Sequence, residues 1–278
     1  MRLATLRRGD AQVAVRIDGE SAVEIDGVSD VGALLQDPDW RARALAASGA
    51  GIPLADLADA DWAPVIPRPG KIVCVGLNYR THILEMGRPI PEYPTLFAKY
   101  PEALIGPYDT IVLPRDAADA VDWEAELAVV VGSPARRLDE AAAAEAIAGY
   151  SVINDVTMRD FQYRTPEWFQ GKTFEASAPF GPVLVTPDEL DPAAVLSCTV
   201  DGDVVQRSPI DDLVFSPAAI ISYVSRIFTL QPGDVIATGT PGGVGHARTP
   251  ARYLAPGSLL TTAVAGIGEL RNPVIAEH

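Results

Sequence analysis

Apolar and polar residues alternate with period two in several short runs, beginning near the N-terminus. Residues 11–17 and 21–25 alternate on either side of Asp18-Gly19, which predicts a β-hairpin. Residues 28–47 change to a helical period, interrupted at Pro38. Pro64, Pro67, Pro69 and Gly70 then form a stiff linker, so a boundary falls near residue 68. Residues 1–68 read as a small N-terminal α+β domain with its linker, and residues 69–278 as the main domain.

Beyond the linker the pattern is strand-rich. Residues 71–77 form an apolar run that predicts a buried strand, and residues 110–113, 124–131, 150–154, 235–237 and 259–264 predict others. Residues 197–200 and 204–206 flank Asp201-Gly202, a second hairpin signal. Two helices stand out. Residues 139–147 are alanine-rich with an acidic first turn, and Gly149 reads as their C-terminal stop. Residues 216–228 are amphipathic, with Pro217 in the first turn. Residues 82–94 have the composition of a lid: a short helical turn, then Gly87, Pro89, Pro91 and Pro94. Many strands and few helices, without regular β–α alternation, predict an α+β, mostly β protein and not a doubly wound sheet.

Composition narrows the function. The 278 residues are 21% charged and 48% hydrophobic, which supports a sizeable core and excludes a disordered chain. The net charge of −15, with no lysine or arginine block, speaks against nucleic acid. No apolar stretch is long enough for a membrane helix and the N-terminus lacks an apolar leader core, so a cytoplasmic protein is expected. Cys74 and Cys198 sit in apolar runs and read as buried free thiols. His82, His246 and His278 lie far apart in sequence, which disfavours a zinc site of the usual His/Cys kind.

The segment 121–131, VDWEAELAVVV, carries the most chemistry. As a strand it puts Trp123, Ala125, Leu127, Val129 and Val131 on one face. Asp122, Glu124, Glu126, Ala128 and Val130 fall on the other. Glu124 and Glu126 then point the same way, about 6–7 Å apart along the backbone. Side by side at the mouth of a core, they stay ionised only beside a cation, and oxygen ligands of this kind suit magnesium, manganese or calcium. The open alternative is an edge strand with a solvated polar face. A third carboxylate, Asp155, ends the strand 150–154, and a helix or turn beyond it would carry Asp155, Arg159 and Gln162 on one face as a cradle for an oxo acid. Arg159 could instead simply pair with Asp155 or Asp160.

Six motifs in this order resemble the fumarylacetoacetate hydrolase family over roughly residues 70–275. They are KIVCVGLNYRTHILEMG, LFAKYPEALIGP, VDWEAELAVVVG, GYSVINDVTMRDFQ, GKTFEASAPFGP and LQPGDVIATGTPGGVG. The resemblance, nearest to the acylpyruvase-like branch, implies a mixed β-sandwich roll behind a small N-terminal domain, and a homodimer. It implies Glu124, Glu126 and Asp155 as ligands for magnesium or manganese. It implies His82 and Glu85 as a pair acting on water, Lys172 as a stabiliser of developing negative charge, and Arg159, Gln162 and Thr240 as substrate contacts. One departure is Glu175, where many members carry Asp, which puts the setting of Lys172 in question.

The residues can support such chemistry. His82 and Glu85 are one helical turn apart, and an imidazole with a carboxylate partner takes up a proton near neutral pH. Lys172 beside a divalent cation becomes an electrostatic stabiliser. The glycines around Thr240 and Pro241 lack the pattern of a phosphate cradle and suggest close backbone approach to a carboxylate. The expected activity is metal-dependent hydrolysis of a C–C bond in a small β-diketo acid of the acylpyruvate, fumarylpyruvate or fumarylacetoacetate type. The alternative is isomerisation or decarboxylation of a 2-oxo or 2-hydroxy-diene dioate, or of oxaloacetate, at the same site.

Overall fold

The strand Ala125–Val131 is buried along its whole length, and everything that positions the site follows from it. It pairs antiparallel with Ile147–Asn154 on one side and with Val235–Ala237 on the other. It is therefore a central strand, which removes the alternative of a solvated edge. The structure is a computed structural model; it describes every residue but Ala50, Met86, Arg88 and His278, and of Glu85 only the backbone.

Among the described residues the main sheet has eleven strands. Its order runs Ile52–Pro53, Ser21–Glu24, Ala11–Asp18, Arg2–Arg8, Ala178–Val185, Ile147–Asn154, Ala125–Val131, Val235–Ala237, Ile72–Gly76 and Thr95–Lys99. Leu104–Ile105 pairs with Ala178–Val185 off this path. A second sheet of five strands is ordered Asp203–Pro209, Val195–Val200, Leu259–Val264, Gly268–Ala276 and Ile111–Leu113. The mostly β class expected from the sequence is what the structure shows.

Three apolar clusters hold the layers together. The second sheet packs on one face of the main sheet around Leu127, Val152, Leu196 and Leu260. The helices Glu140–Glu145 and Pro217–Ile227 cover the rest of that face, over Val129, Val131 and Ile236. On the opposite face the helices Val31–Leu35 and Trp40–Ala46 bring Leu34, Leu35 and Trp40 against Leu3, Ala128, Val130 and Leu184. Each fully buried aliphatic side chain of this kind stabilises the fold by about 1.5–3 kcal/mol. Among the described residues no helix is long and apolar enough to cross a membrane. Cys74 and Cys198 are buried and unpaired.

Several local expectations shift in the structure. The first strand is Arg2–Arg8, outside the predicted hairpin, and it pairs with Ala178–Val185 through Arg2↔Val185 and Leu3↔Leu184. The sheet thus continues across the boundary expected at residue 68. The hairpin closes at Asp18↔Ser21, so its turn is Gly19-Glu20 and not Asp18-Gly19. Asp139 caps its helix through Ala142 N at 2.9 Å, but the helix ends at Glu145. Gly149 is no helix stop; it lies in Ile147–Asn154, where a Cβ would come within 2.5 Å of Val185 O. Close strand approach explains that glycine.

Candidate active site

The register of the two central strands gathers the acids. Glu124 precedes Ala125–Val131 and Asp155 follows Ile147–Asn154, and Ala125 lies opposite Asn154. Asp155 N donates to Glu124 O at 2.8 Å, and Glu124 N donates to Asn154 Oδ1 at 2.9 Å. Asn154 is braced in turn by Thr262 Oγ1 of the second sheet at 2.8 Å. Glu124, Glu126 and Asp155 are 7%, 1% and 0% exposed, and each offers an oxygen within 4.8 Å of the others'. The alternation read from the sequence, which put Glu124 and Glu126 on one face, agrees with this convergence.

Three cations meet these acids. Lys172 Nζ donates to Glu124 Oε2 at 2.6 Å and to Asp155 Oδ2 at 2.9 Å. Lys99 Nζ stands 2.9 Å from Asp155 Oδ1 and also donates to the Lys172 carbonyl. Arg159 Nη1 lies 2.8 Å from Glu124 Oε1, while its Nε and Nη2 reach Asp122 Oδ2 at 2.9 and 2.7 Å. Burial pushes the Asp155 carboxyl up, but Lys172 and Lys99 outweigh it and hold the group below its usual range. Burial favours neutral Lys172, yet Asp155 and Glu124 outweigh that and keep it charged.

Glu126 is the exception. Gly239 N donates to its Oε2 at 2.8 Å, and among the described residues no ammonium or guanidinium forms an ion pair with it. Burial first, then Asp155 and Glu124, push its carboxyl well above the usual range. A buried carboxylate short of a cation, beside two others, is a donor set that fits a hard divalent ion. Glu124, Glu126 and Asp155 are the residues that would hold it.

Above the acids is a cavity of about 360 Å³. Phe97, Trp168 and Val75 give it apolar walls, while Arg159, Gln162, Thr240, His246 and His82 supply polar groups. Gly76 admits Trp168, since a Cβ there would lie 2.4 Å from the indole. Asn78 fixes the turn after Gly76 through Phe215 and Thr238, and Asp212 receives the N–H groups of Arg80 and Thr81. That turn aims the helix Arg80–Glu85, which carries His82 to the cavity wall. The side chain of Glu85 lies outside the described residues, so its pairing with His82 stays an expectation. Met86 and Arg88, in the segment expected to be a lid, lie outside them too.

The glycine-rich loop approaches carboxylates, as its composition suggested, but the carboxylates are the protein's own. Gly239 N reaches Glu126, and Gly245 N and His246 N reach Asp122 at 2.7 and 2.9 Å. Gly245 has no room for a Cβ, which would meet Arg252 O at 1.8 Å. Thr240 Oγ1 donates to Ala125 O at 2.9 Å and accepts from Gln206 Nε2 at 2.8 Å, so the loop is fastened to the strand that bears the acids.

Two expectations are corrected. Asp155, Arg159 and Gln162 do not share a helical face: the strand Thr157–Met158 intervenes, and only Arg159 and Gln162 lie in the helix Arg159–Gln162. Pairing of Thr157 with Asp122 delivers Arg159 to Asp122 and Glu124, so its partners are neither Asp155 nor Asp160. Glu175 is exposed, and Lys172 is held by Glu124 and Asp155 instead. Lys99, Asp122, Asn154 and Gln206 also build the site, and the sequence pattern did not single them out as functional. Lys99 had a signal, a lysine on the same strand face as Phe97 in an apolar run, and Asp122 had one in its alternation with Glu124.

Comparison with known proteins is consistent with this geometry. The sequence profile of the fumarylacetoacetate (FAA) hydrolase C-terminal family matches residues 71–275. Human oxaloacetate tautomerase FAHD2A, a mitochondrial protein, is 40% identical over 237 residues, covering 84% of this chain and 74% of its own. The crystal structure of 5-carboxymethyl-2-hydroxymuconate delta-isomerase from Mycobacterium smegmatis is 36% identical, with a TM-score of 0.82 over 100% of both chains. Maleylpyruvate hydrolase from Sphingobium sp. SYK-6, solved with manganese(II) and pyruvate, is 28% identical with a TM-score of 0.82, again over 100% of both chains.

Proposed function

The chain belongs to the fumarylacetoacetate hydrolase family, and we propose that it is a magnesium- or manganese-dependent enzyme that moves a proton between carbon and oxygen of a small 2-oxo acid, interconverting its keto and enol forms. The observation that carries this reading is the convergence of Glu124, Glu126 and Asp155, with Glu124 and Glu126 lining a cavity and Glu126 short of a cation. The relatives and neighbours named as tautomerase and isomerase support it.

A divalent ion at the three carboxylates supplies Lewis acidity toward the adjacent carboxylate and keto oxygens of a 2-oxo acid, which makes the neighbouring C–H acidic. The chain's own residues do the rest. His82, on the cavity wall, takes the proton from the carbon and delivers it to the oxygen, or in the other direction takes it from the oxygen and returns it to the carbon, and Glu85 orients the imidazole. Arg159 is fixed by Asp122 and presents positive charge to the substrate carboxylate. Gln162 Oε1 accepts from Arg159 at 2.9 Å, which turns the amide so that Nε2 can donate to substrate. Lys172 stabilises negative charge developing on the keto oxygen. Thr240, fastened to Ala125 and Gln206, lines the cavity as a further substrate contact. The protein acts as a cytoplasmic homodimer in this reading.

A second reading is hydrolytic cleavage of a C–C bond in an acylpyruvate, with His82 drawing the proton from water. The position of His82 on the cavity and the likeness to a maleylpyruvate hydrolase favour it. The two are separated by ultraviolet absorbance with magnesium present. Acceleration of oxaloacetate ketonisation without loss of fumarylpyruvate supports the first, and metal-dependent loss of fumarylpyruvate supports the second. Neither, with magnesium or with manganese, overturns both.

A further inference from the structure

His246 lines the same cavity as the acids, yet the chemistry above leaves it without a task. It is exposed, in the short 3-10 turn Gly245–Ala247, and three contacts hold it there. Its N–H donates to Asp122 Oδ2 at 2.9 Å, the oxygen that also holds Arg159. Its Nδ1 lies 3.0 Å from the hydroxyl of Tyr253. Its ring is flanked by Tyr163, with centroids 5.1 Å apart and planes inclined by 36°. Backbone, ring nitrogen and ring face are thus all engaged, and among the described residues no hydrogen bond reaches Nε2. A ring fixed at one nitrogen presents the other in a defined direction.

The charges nearby say what such a group would meet. Among the described residues four carboxylates, Asp122, Glu124, Glu126 and Asp155, face three cations, Lys99, Arg159 and Lys172. A divalent ion turns that surplus from negative to positive, which draws in anionic substrates. Lys99 is buried against Asp155, and in the reading above Arg159 and Lys172 already serve the first carboxylate and the keto oxygen. A substrate with a second carboxylate must therefore find a donor elsewhere on the cavity. His82 and His246 are the two imidazoles that line it, and His82 serves the reacting carbon in the reading above.

We propose that His246 recognises the end of the substrate away from the reacting carbon, and that this end is a carboxylate. The site then prefers 2-oxo dicarboxylates to 2-oxo monoacids of the same chain length. This rests on the reading of the cavity as an oxo-acid site. Asp122 acts behind it as a positioning residue that ties Arg159, at the near end of the substrate, to His246 at the far end.

Calorimetric titration of the magnesium-loaded protein with matched pairs tests this: 2-oxoglutarate against 2-oxopentanoate, and 2-oxoadipate against 2-oxohexanoate. For at least one pair the dicarboxylate is expected to bind about tenfold or more tightly. His246→Leu should collapse that ratio to near one, and His246→Gln, which keeps a donor, should restore part of it. Tyr253→Phe should lower the ratio less than His246→Leu. An unchanged ratio in His246→Leu, or equal weakening of both members of a pair, overturns the assignment while leaving the oxo-acid reading intact. Failure of every 2-oxo acid to bind overturns that reading, and this assignment with it.

Discussion

Asp122 takes Nε and Nη2 of Arg159 on a single oxygen, Oδ2, at 2.9 and 2.7 Å, while the same carboxylate receives the N–H groups of Gly245 and His246. One buried acid therefore joins the helix that bears Arg159 to the loop that lines the cavity. Asp122→Asn keeps the shape and removes the charge, leaving part of the guanidinium unpaired. Breaking a buried pair from one side costs about 3–5 kcal/mol. Urea denaturation should show a loss near the lower end, since Glu124 still faces Arg159. Turnover should fall more than metal affinity, because Asp122 is not among the three converging acids.

Glu126 gives a substitution with opposite effects on the two states. Glu126→Gln removes an acid that the metal-free fold must either protonate or bury charged without an ion-pair partner, so the metal-free protein should become more stable at neutral pH, by about 1–3 kcal/mol. The same change should weaken binding of magnesium or manganese by about 100-fold or more, since it removes a charged ligand. Thermal melts with chelator and with excess metal separate the two. A variant that is destabilised without metal, or stabilised by metal as the native protein is, would contradict the placement of Glu126.

The pH dependence has a definite sign. In the metal-free fold the Glu126 carboxyl titrates well above its usual 4.5. The folded state then holds a proton that the unfolded state has lost, so this group's contribution is present below 4.5 and lost as pH rises through the folded value. Apparent metal affinity runs the other way, rising with pH as the ion displaces that proton. Calorimetry in buffers of different ionisation enthalpy should show proton release on binding, greatest at the acid end of the range.

The two thiols should be silent in the native protein. Burial pushes Cys198 up to about 12, and burial raises Cys74 well above its usual value of 9.0. A disulfide reagent at neutral pH should titrate neither until denaturant is added. Because the unfolded thiols ionise first, their contribution to stability is present below 9 and lost as pH rises from there through the folded values.

Much of the site is legible in the sequence because period two is a strong signal. The alternation in VDWEAELAVVV puts Glu124 and Glu126 on one face, and their oxygens converge, although the strand itself begins at Ala125. Asp155 is legible as the residue that ends a strand. Long-range pairing is not legible. Arg2–Arg8 has its partner Ala178–Val185 far along the chain, and that partner contains Pro179 and Pro182, which mask a strand pattern. Lys99 looks like an ordinary solvated lysine because Asp155, the acid that buries it, arrives from another strand. Helical spacing points Arg159 toward Asp155, but strand pairing at Thr157 decides its partners.

The central claim is that three carboxylates share one hard cation. An anomalous difference map from a crystal soaked with manganese tests it most directly. The expected result is one peak bonded to oxygens of Glu124, Glu126 and Asp155 at about 2.0–2.3 Å, with Lys172 displaced from at least one of its two carboxylates. A map with no peak among these oxygens, or with manganese bound only elsewhere on the molecule, would contradict it.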